Sequence, residues 1–381
     1  MAPLLPTLIL RLIQQLTLIS LIAIPSPTIA DLANTSSLST IHRSSASFPD
    51  SNPYQDTVLQ GDGYAFINDN DSLLDNLKRI YDEGLALQAS SRGLLVIPGD
   101  EAELVSELEN ANNDKTSFSA GGHLALLTQQ KDWIVVAGSE FNGSGEFIYD
   151  EDDATRLRFA TVLGLFNLGE LQSAVNVSAL WKNYLGINHR FSLQAFPNTV
   201  IGITAKLQSI SVIERSISIE EYDEDKLFDR GRDVESKFQL NADLGIQHQM
   251  DNWTFGIDFN DIYQQVIKGS EGTPYQQRTH ISGDVHYLQE WGRLGLHADI
   301  TPQNGFGELA SRRAYGVNAL LPFSEKLNIL LGYTWLDSHK DSDLPTAGLY
   351  YHLGDMLRIE AQVSYAGPRE FGGGVSLQLP L

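Results

Sequence analysis

Cysteine is absent from this 381-residue chain. That excludes disulfides, thiolate metal sites, a cysteine nucleophile and a lipidated N-terminal cysteine. Basic residues are scarce: 26 Lys plus Arg stand against 48 Asp plus Glu, a formal charge of −22. Nucleic-acid binding needs basic surface to replace phosphate counterions, so this balance argues against it. Long apolar runs are also missing beyond residue 30. Mean hydropathy is −0.16, and no internal stretch approaches the ~20 apolar residues of a membrane-spanning helix.

The first 30 residues differ from the rest. Met1 to Ala30 holds no acid, one basic residue (Arg11) and the apolar run LTLISLIAIPSPTIA. Thr28-Ile29-Ala30 places small residues before Asp31, so the segment reads as a cleaved secretory signal. Residues 31–56, rich in Ser, Thr, Asn and Pro, read as a flexible leader. An exported chain without cysteine points to the bacterial envelope.

What is present is alternation. In FQLNADLGIQHQMDNWTFGIDFN, Phe238, Leu240, Ala242, Leu244, Ile246 and Met250 share one face, and Gln239, Asn241, Asp243, Gln247 and Gln249 the other. Asp251-Asn252 turns the chain, and Trp253, Phe255, Ile257 and Phe259 resume the pattern. Period-two strands are predicted at 57–67, 118–127, 131–139, 172–194, 199–214, 237–250, 253–264, 277–288, 292–301, 312–322, 327–336, 346–353, 356–366 and 370–381. Helical periodicity interrupts them at 72–110. Residues 152–166 fit a helix capped by Asp153 better than a strand. Short turns and longer connections alternate, the long ones being 265–276, 302–311 and 337–345.

A bilayer offers no water to unpaired backbone groups, so only helices or closed sheets cross it. A tilted strand of ~9–11 residues spans the apolar layer, and most of these segments are that long. A soluble sandwich would alternate too, but its strands average ~5–6 residues. Tyr and Trp near strand ends (Trp253, Tyr263, Tyr287, Trp291, Tyr333, Trp335 and Tyr365) suit interfacial girdles. The predicted fold is all-β: an antiparallel transmembrane β-barrel of about fourteen strands, with a range of roughly twelve to sixteen. It would carry short helical insertions, sit in the bacterial outer membrane and turn its short loops to the periplasm.

Three stretches carry a resemblance: FINDNDSLLDNLKRI, YLGINHRFSL, and TVIGITAKLQSISVIERSISIEEYDEDKLFD. In the last, a strand holding Gly202, Thr204, Lys206, Leu207 and Gln208 runs into an acidic loop. Residues 57–381 resemble the exported barrel family named for the conjugal transfer protein TraF, itself similar in architecture to fatty-acid transporter barrels. The resemblance implies an outer-membrane barrel and a conjugation context, and brings no catalytic or DNA-binding residues. The thioredoxin-like pilus-assembly protein of the same name relies on redox chemistry that a cysteine-free chain cannot perform.

By parity, Lys206, Asp243, Asp258, Asp284, His286, Arg293, His297, Asp299, Arg358 and Glu360 are predicted to face the lumen, with Arg190, His280 and Ser282 beside them. Ion pairs that fill the lumen and a polar route through it fit these residues equally. Ser282, the histidines and the aspartates are also the residue types of a hydrolytic triad, with His286 or His297 as base. No G-x-S-x-G elbow accompanies them, and polar lumen residues are expected in any barrel. His280 and His286 lie roughly 20 Å apart along a strand, too far for one metal ion. Glu220, Glu221, Asp223, Glu224 and Asp225 form an acidic external loop. It has oxygen ligands for divalent cations but lacks EF-hand spacing, and a solvated loop with local ion pairs is the simpler reading.

The function expected is therefore non-enzymatic: a transport barrel or an envelope component associated with conjugation. An uptake channel for hydrophobic molecules is the first alternative and a barrel hydrolase the second. No cofactor or metal is expected. The expected partners are outer-membrane lipids and lipopolysaccharide, the barrel-assembly machinery and a hydrophobic small molecule, with no nucleic acid.

Overall fold

The computed structural model describes residues 57–69, 71–91, 100–127, 133–163, 166–221, 231–324, 326–337, 343–353 and 357–381. The signal and leader predicted within 1–56 lie outside these residues.

The strands are β1 (Val58–Asn68), β2 (Lys115–Leu127), β3 (Trp133–Ile148), β4 (Ala174–Leu193), β5 (Phe196–Ser218), β6 (Val234–Met250), β7 (Trp253–Asn260), β8 (Gln265–Lys268), β9 (Pro274–Gln277), β10 (His280–Gln289), β11 (Gly292–Asp299), β12 (Ala314–Pro322), β13 (Leu327–Leu336), β14 (Leu344–Leu353), β15 (Leu357–Gly367) and β16 (Glu370–Pro380). Fourteen close an antiparallel barrel in which each strand pairs with its neighbours along the chain, β7 with β10, and β16 with β1; β8 and β9 form a separate hairpin. Closure satisfies every strand edge, as a membrane requires. The seam is sealed by register Val58↔Pro380 through Asn68↔Glu370, and the Leu381 N–H donates to Thr57 O at 2.7 Å. Both ends of the barrel-forming sequence therefore stand at one rim, the one carrying the tight turns Asp251-Asn252 and Glu290-Trp291. Asp251 takes a φ of 51° there, the left-handed conformation a two-residue hairpin needs.

Side chains sort by parity. Phe238 and Leu240 are 72% and 76% exposed, whereas Asn241, the next residue along, and its ladder partner Lys206 are buried. Leu185, Ile187, Ile203, Leu207, Leu294, Leu296, Val363 and Val375 continue the exposed apolar surface, and Asn188, Arg190, Thr204, Asp258, Asp299 and Glu360 the buried polar one. Such an inversion of the soluble pattern is stable only against hydrocarbon. Among the described residues no helix is long and apolar enough to cross a membrane; the outward apolar band belongs to the strands of the closed barrel. The chain is an outer-membrane β-barrel whose short-turn rim is periplasmic.

The wall is lopsided. β5 has 23 residues, roughly 75 Å along the strand, about twice what a membrane requires. The upper parts of β3, β4 and β5 stand above the outer leaflet and are covered on both faces. Three helices, α1 (Leu73–Ser91), α2 (Asp100–Asn110) and α3 (Asp152–Leu163), cover the outward face. Their Leu73, Leu77, Ile80, Leu104, Leu108 and Leu157 form one core with Phe147, Val175 and Ile219. The predicted strand 131–139 runs on to Ile148, because the Gly- and Ser-rich SEFNGSGEF remains paired to β2 and β4.

Asp69 joins β1 to this helical cap. Its carboxylate accepts the Leu74 N–H at 3.4 Å and stands 4.0 Å from Arg369. Burial raises its pKa from 3.8 to about 6, with the Leu74 N–H and Arg369 acting against that rise. Folding thus favours the protonated acid. The contribution is full below about pH 4 and is lost as pH climbs through 6, a swing of up to about 3 kcal/mol. Protection factors of the α1 amides, which divide out the intrinsic rise of exchange with pH, should fall between pH 4 and 7, and Asp69→Asn should flatten that fall. An unchanged profile in the variant would remove Asp69 as its source.

Candidate functional site

The inward face carries three charged clusters. In the first, on β1 to β4, the His123 imidazole sits between two carboxylates, with Nδ1 2.8 Å from Asp62 Oδ1 and Nε2 3.2 Å from Glu140 Oε1. Carboxylates only accept, so both contacts are hydrogen bonds only if the ring is an imidazolium. Tyr64 and Tyr184 flank it at ring-centroid distances of 6.5 and 6.2 Å. Both tyrosines lie flat because glycine stands beneath them: a Cβ at Gly121 would meet the Tyr64 ring at 2.7 Å and one at Gly138 the Tyr184 ring at 2.5 Å.

The second cluster joins β4, β5, β6 and the end of β7. Lys206 Nζ lies 2.8 Å from Asp243 Oδ1 and 2.7 Å from Asp261 Oδ1, and 5.6 Å above the Tyr184 ring. Lys182 reaches Asp261 Oδ2 at 3.5 Å. Asp261 holds a left-handed φ of 55°, a conformation aspartate tolerates better than most residues. The predicted strand 253–264 ends at this bend.

The third lies on β10 to β12. Asp299 Oδ1 is 3.2 Å from His280 Nε2 and 3.3 Å from His297 Nε2, and Oδ2 accepts the Ala314 N–H at 2.9 Å. His286 Nε2 lies 3.0 Å from Asp284 Oδ2. A hydrolytic triad requires one imidazole relayed between an acid and a hydroxyl through opposite nitrogens. Asp299 instead bridges two imidazoles. Ser282 is buried across the ladder from Asp299 and Asp258. Among the described residues, no three His, Asp or Glu are placed to hold a metal ion.

Of the other residues singled out from sequence, Asp258, Arg293 and Glu360 are buried, and Arg358 is half-buried opposite Gln378 and His352. In the acidic loop, Glu221 stands 3.4 Å from Arg215 and Glu220 touches the Gly169 turn. Asp223, Glu224 and Asp225 lie outside the described residues.

Sequence reasoning missed the outer mouth. The connection read as a plain loop at 265–276 contains the β8–β9 hairpin. Residues 262–279 form a lid: Ile267 and Tyr275, with Phe306 from the 301–313 loop, pack on Leu180, Ile210 and Val212 of β4 and β5. Those three wall residues have inward parity. Tyr275 meets Phe306 edge-on at 6.2 Å. The lid tip is held by Glu214, whose Oε2 accepts the Glu271 and Thr273 N–H groups at 3.1 and 3.3 Å and whose carbonyl accepts Ser270 Oγ–H at 2.7 Å. Glu271 returns the contact by accepting the Ser216 N–H at 2.8 Å. Lower down, Gln208, Gln239 and Gln265 all donate to Gln277 Oε1, at 2.9, 3.0 and 2.8 Å. The second loop is anchored where the Glu308 N–H donates to Ser178 Oγ at 3.1 Å. The signal available in the sequence was the run Ile210-Ser211-Val212-Ile213, apolar on both faces, which marks a strand covered on both sides.

No curated protein matches the chain. Among solved structures it is similar to the toluene transporter TodX of Pseudomonas putida, at 10% identity over 87% of this chain and 91% of that one, TM-score 0.45. It is similar also to the toluene transporter TbuX of Ralstonia pickettii, at 8% identity over 86% and 90%, TM-score 0.45, and to the outer membrane protein Omp33 of Acinetobacter baumannii, at 10% identity over 86% and 98%, TM-score 0.33. Residues 52–300 match the family described as "F plasmid transfer operon, TraF, protein". With well over half of its length matched, the chain belongs to that TraF family.

Proposed function

We propose that this barrel is an uptake channel for small, largely apolar solutes, closed by its own lid. The observation that carries the reading is the apolar inward strip Leu180, Ile210 and Val212 at the outer end of β4 and β5, sealed by Ile267, Tyr275 and Phe306. Burying each of the three sealing side chains favours closure by ~1.5–3 kcal/mol, enough to keep the mouth shut until something competes for the strip. An entering apolar solute makes the same contacts as the lid and so displaces it. Beside and below the strip, the Lys182–Asp261–Lys206–Asp243 belt lines this side of the wall with paired charge.

Removing the lid tests this. Replacing residues 262–278 with a two-residue turn leaves the paired ends Asn260 and His280 joined. Intact cells without the protein, with wild type and with the lidless barrel should take up the apolar dye N-phenyl-1-naphthylamine at increasing rates. Planar bilayers should show a larger current for the lidless form. Equal dye entry in all three strains overturns the reading, and added current without added dye entry replaces it with a polar pore. The family match favours a second reading, an envelope component in plasmid transfer. Deleting the gene from donor cells and counting transconjugants tests it, and an unchanged mating frequency removes it.

A further inference from the structure

The helical cap does not cover the pore. Its core is built on Phe147 and Val175, which share the outward parity of Trp133, Val135, Leu185 and Ile187 lower on the same strands. The cap therefore stands outside the barrel's perimeter, over the outer leaflet. The upper limit of the lipid band on this flank is an outward aromatic row. Phe118 and Phe141 lie 6.1 Å apart, and Trp181 donates its indole N–H to Ser139 Oγ at 2.9 Å. Cap residues begin one step above: Leu73 of α1 approaches Gly145, two residues beyond Gly143, which pairs with Phe118.

On α3, Phe159 and Leu163 are 68% and 66% exposed and lie one turn apart on a single helix face. Arg158 beside them is exposed, and no carboxylate follows Asp153 in the helix. The acids of α3 cluster at its other end, where Arg156 is drawn to Asp153 at 2.6 Å. The C-terminal half of α3 thus offers two large apolar side chains and a cation, on a protein otherwise rich in acid.

We propose that this half of α3 docks on the outer leaflet of the membrane that holds the barrel, with Phe159 and Leu163 among acyl chains and Arg158 at lipid A phosphates. The occupant follows from continuity. The cap rests on the outward face directly above the lipid band, and an interfacial helix takes this composition, apolar on one side with basic residues flanking. The cap would then brace the tall β3–β5 wall against tilting.

The absence of cysteine makes the test direct. Phe159→Cys and Leu163→Cys, each carrying a nitroxide spin label, are reconstituted in vesicles of phosphatidylethanolamine and lipopolysaccharide. Leu240→Cys serves as the lipid standard and Gln276→Cys, on the exposed side of the lid, as the aqueous one. Labels at 159 and 163 should show a severalfold higher ratio of oxygen to nickel-chelate accessibility than the label at 276. Phe159→Cys carrying Arg158→Glu should bring that ratio down towards the aqueous standard. Labels at 159 and 163 as open to the nickel chelate as that at 276 would falsify the proposal. Dipolar coupling between labels on separate copies, lost on dilution with unlabelled protein, would assign the face to self-association and overturn it as well.

Discussion

Replacing Lys206 with alanine is expected to cost about 3–5 kcal/mol and to loosen the lid at its root. The ammonium group is 2.8 Å from Asp243 and 2.7 Å from Asp261, in a residue only 8% exposed. Without it the two carboxylates share a confined space with Lys182 alone, 3.5 Å from Asp261. The charge left behind, rather than the bond lost, makes the effect large. Removing one member of a buried ionic group leaves uncompensated charge, whereas removing the whole group can be close to neutral. Lys206→Met combined with Asp243→Asn and Asp261→Asn should therefore recover most of the loss. Thermal midpoints read from heat-modifiable gel mobility would order the proteins as wild type, triple variant, then Lys206→Ala. Because Asp261 is the bend at which the lid leaves β7, the single variant should also pass more current than wild type. A Lys206→Ala barrel that melts with wild type would mean that water already screens the group.

The residues explain why some of this architecture was readable in advance and some was not. On β10, β11 and β15 one face is mostly charged or polar, and the other is mostly Leu, Ile, Val, Ala or Tyr, so parity alone gives strand and face. The barrel, its fourteen closing strands and the short-turn rim follow from that pattern. β2 and β3 were also read as strands, but their full extent and polar face were not, because their inward positions include Gly121 and Gly138, which leave room for the Tyr64 and Tyr184 rings. The His123–Asp62–Glu140 contact was lost with them, since nothing in a glycine announces the ring lying on it. The top of β5 hides the pattern differently. With the lid on one face and the cap or a neighbouring wall segment on the other, Ile210, Val212 and Ile213 are all buried, and period two disappears. α3 was ambiguous for a related reason: Leu157 is buried in the cap while Phe159 and Leu163 face outward, so no single apolar stripe marks it as a helix. Residues facing lipid or lumen are set by the local strand. The lid and the belt depend on partners far along the chain, such as Asp261 and Lys182, and those pairings carry no local signature.

The cap should fail at a single carboxylate. Asp153 has no exposed side-chain surface. Its oxygens accept the Gln172 N–H at 3.0 Å, the Ser173 N–H at 2.7 Å and the Ser173 hydroxyl at 2.6 Å. Ser173 Oγ in turn accepts the Asp150 N–H at 3.0 Å, so one acid ties the entry to α3 to the segment that leads into β4. Asp153→Ala leaves two N–H groups and a hydroxyl without this acceptor in a buried site. Each such group costs about 1–3 kcal/mol, and Arg156 loses its 2.6 Å partner as well. The expected loss is on the order of 4 kcal/mol, but it should stay local. The cap is outside the perimeter, and the barrel seam does not run through it. Limited proteolysis should therefore cut the variant between residues 149 and 173 while its heat-modifiable mobility matches wild type. Asp153→Asn, which keeps one acceptor oxygen in place, should fall between the two. If Asp153→Ala lowers the melting of the whole barrel, the cap and the tall wall fold as one cooperative unit. If it changes neither measurement, Asp153 does not carry the corner, and the acceptors needed by Gln172 and Ser173 must come from water.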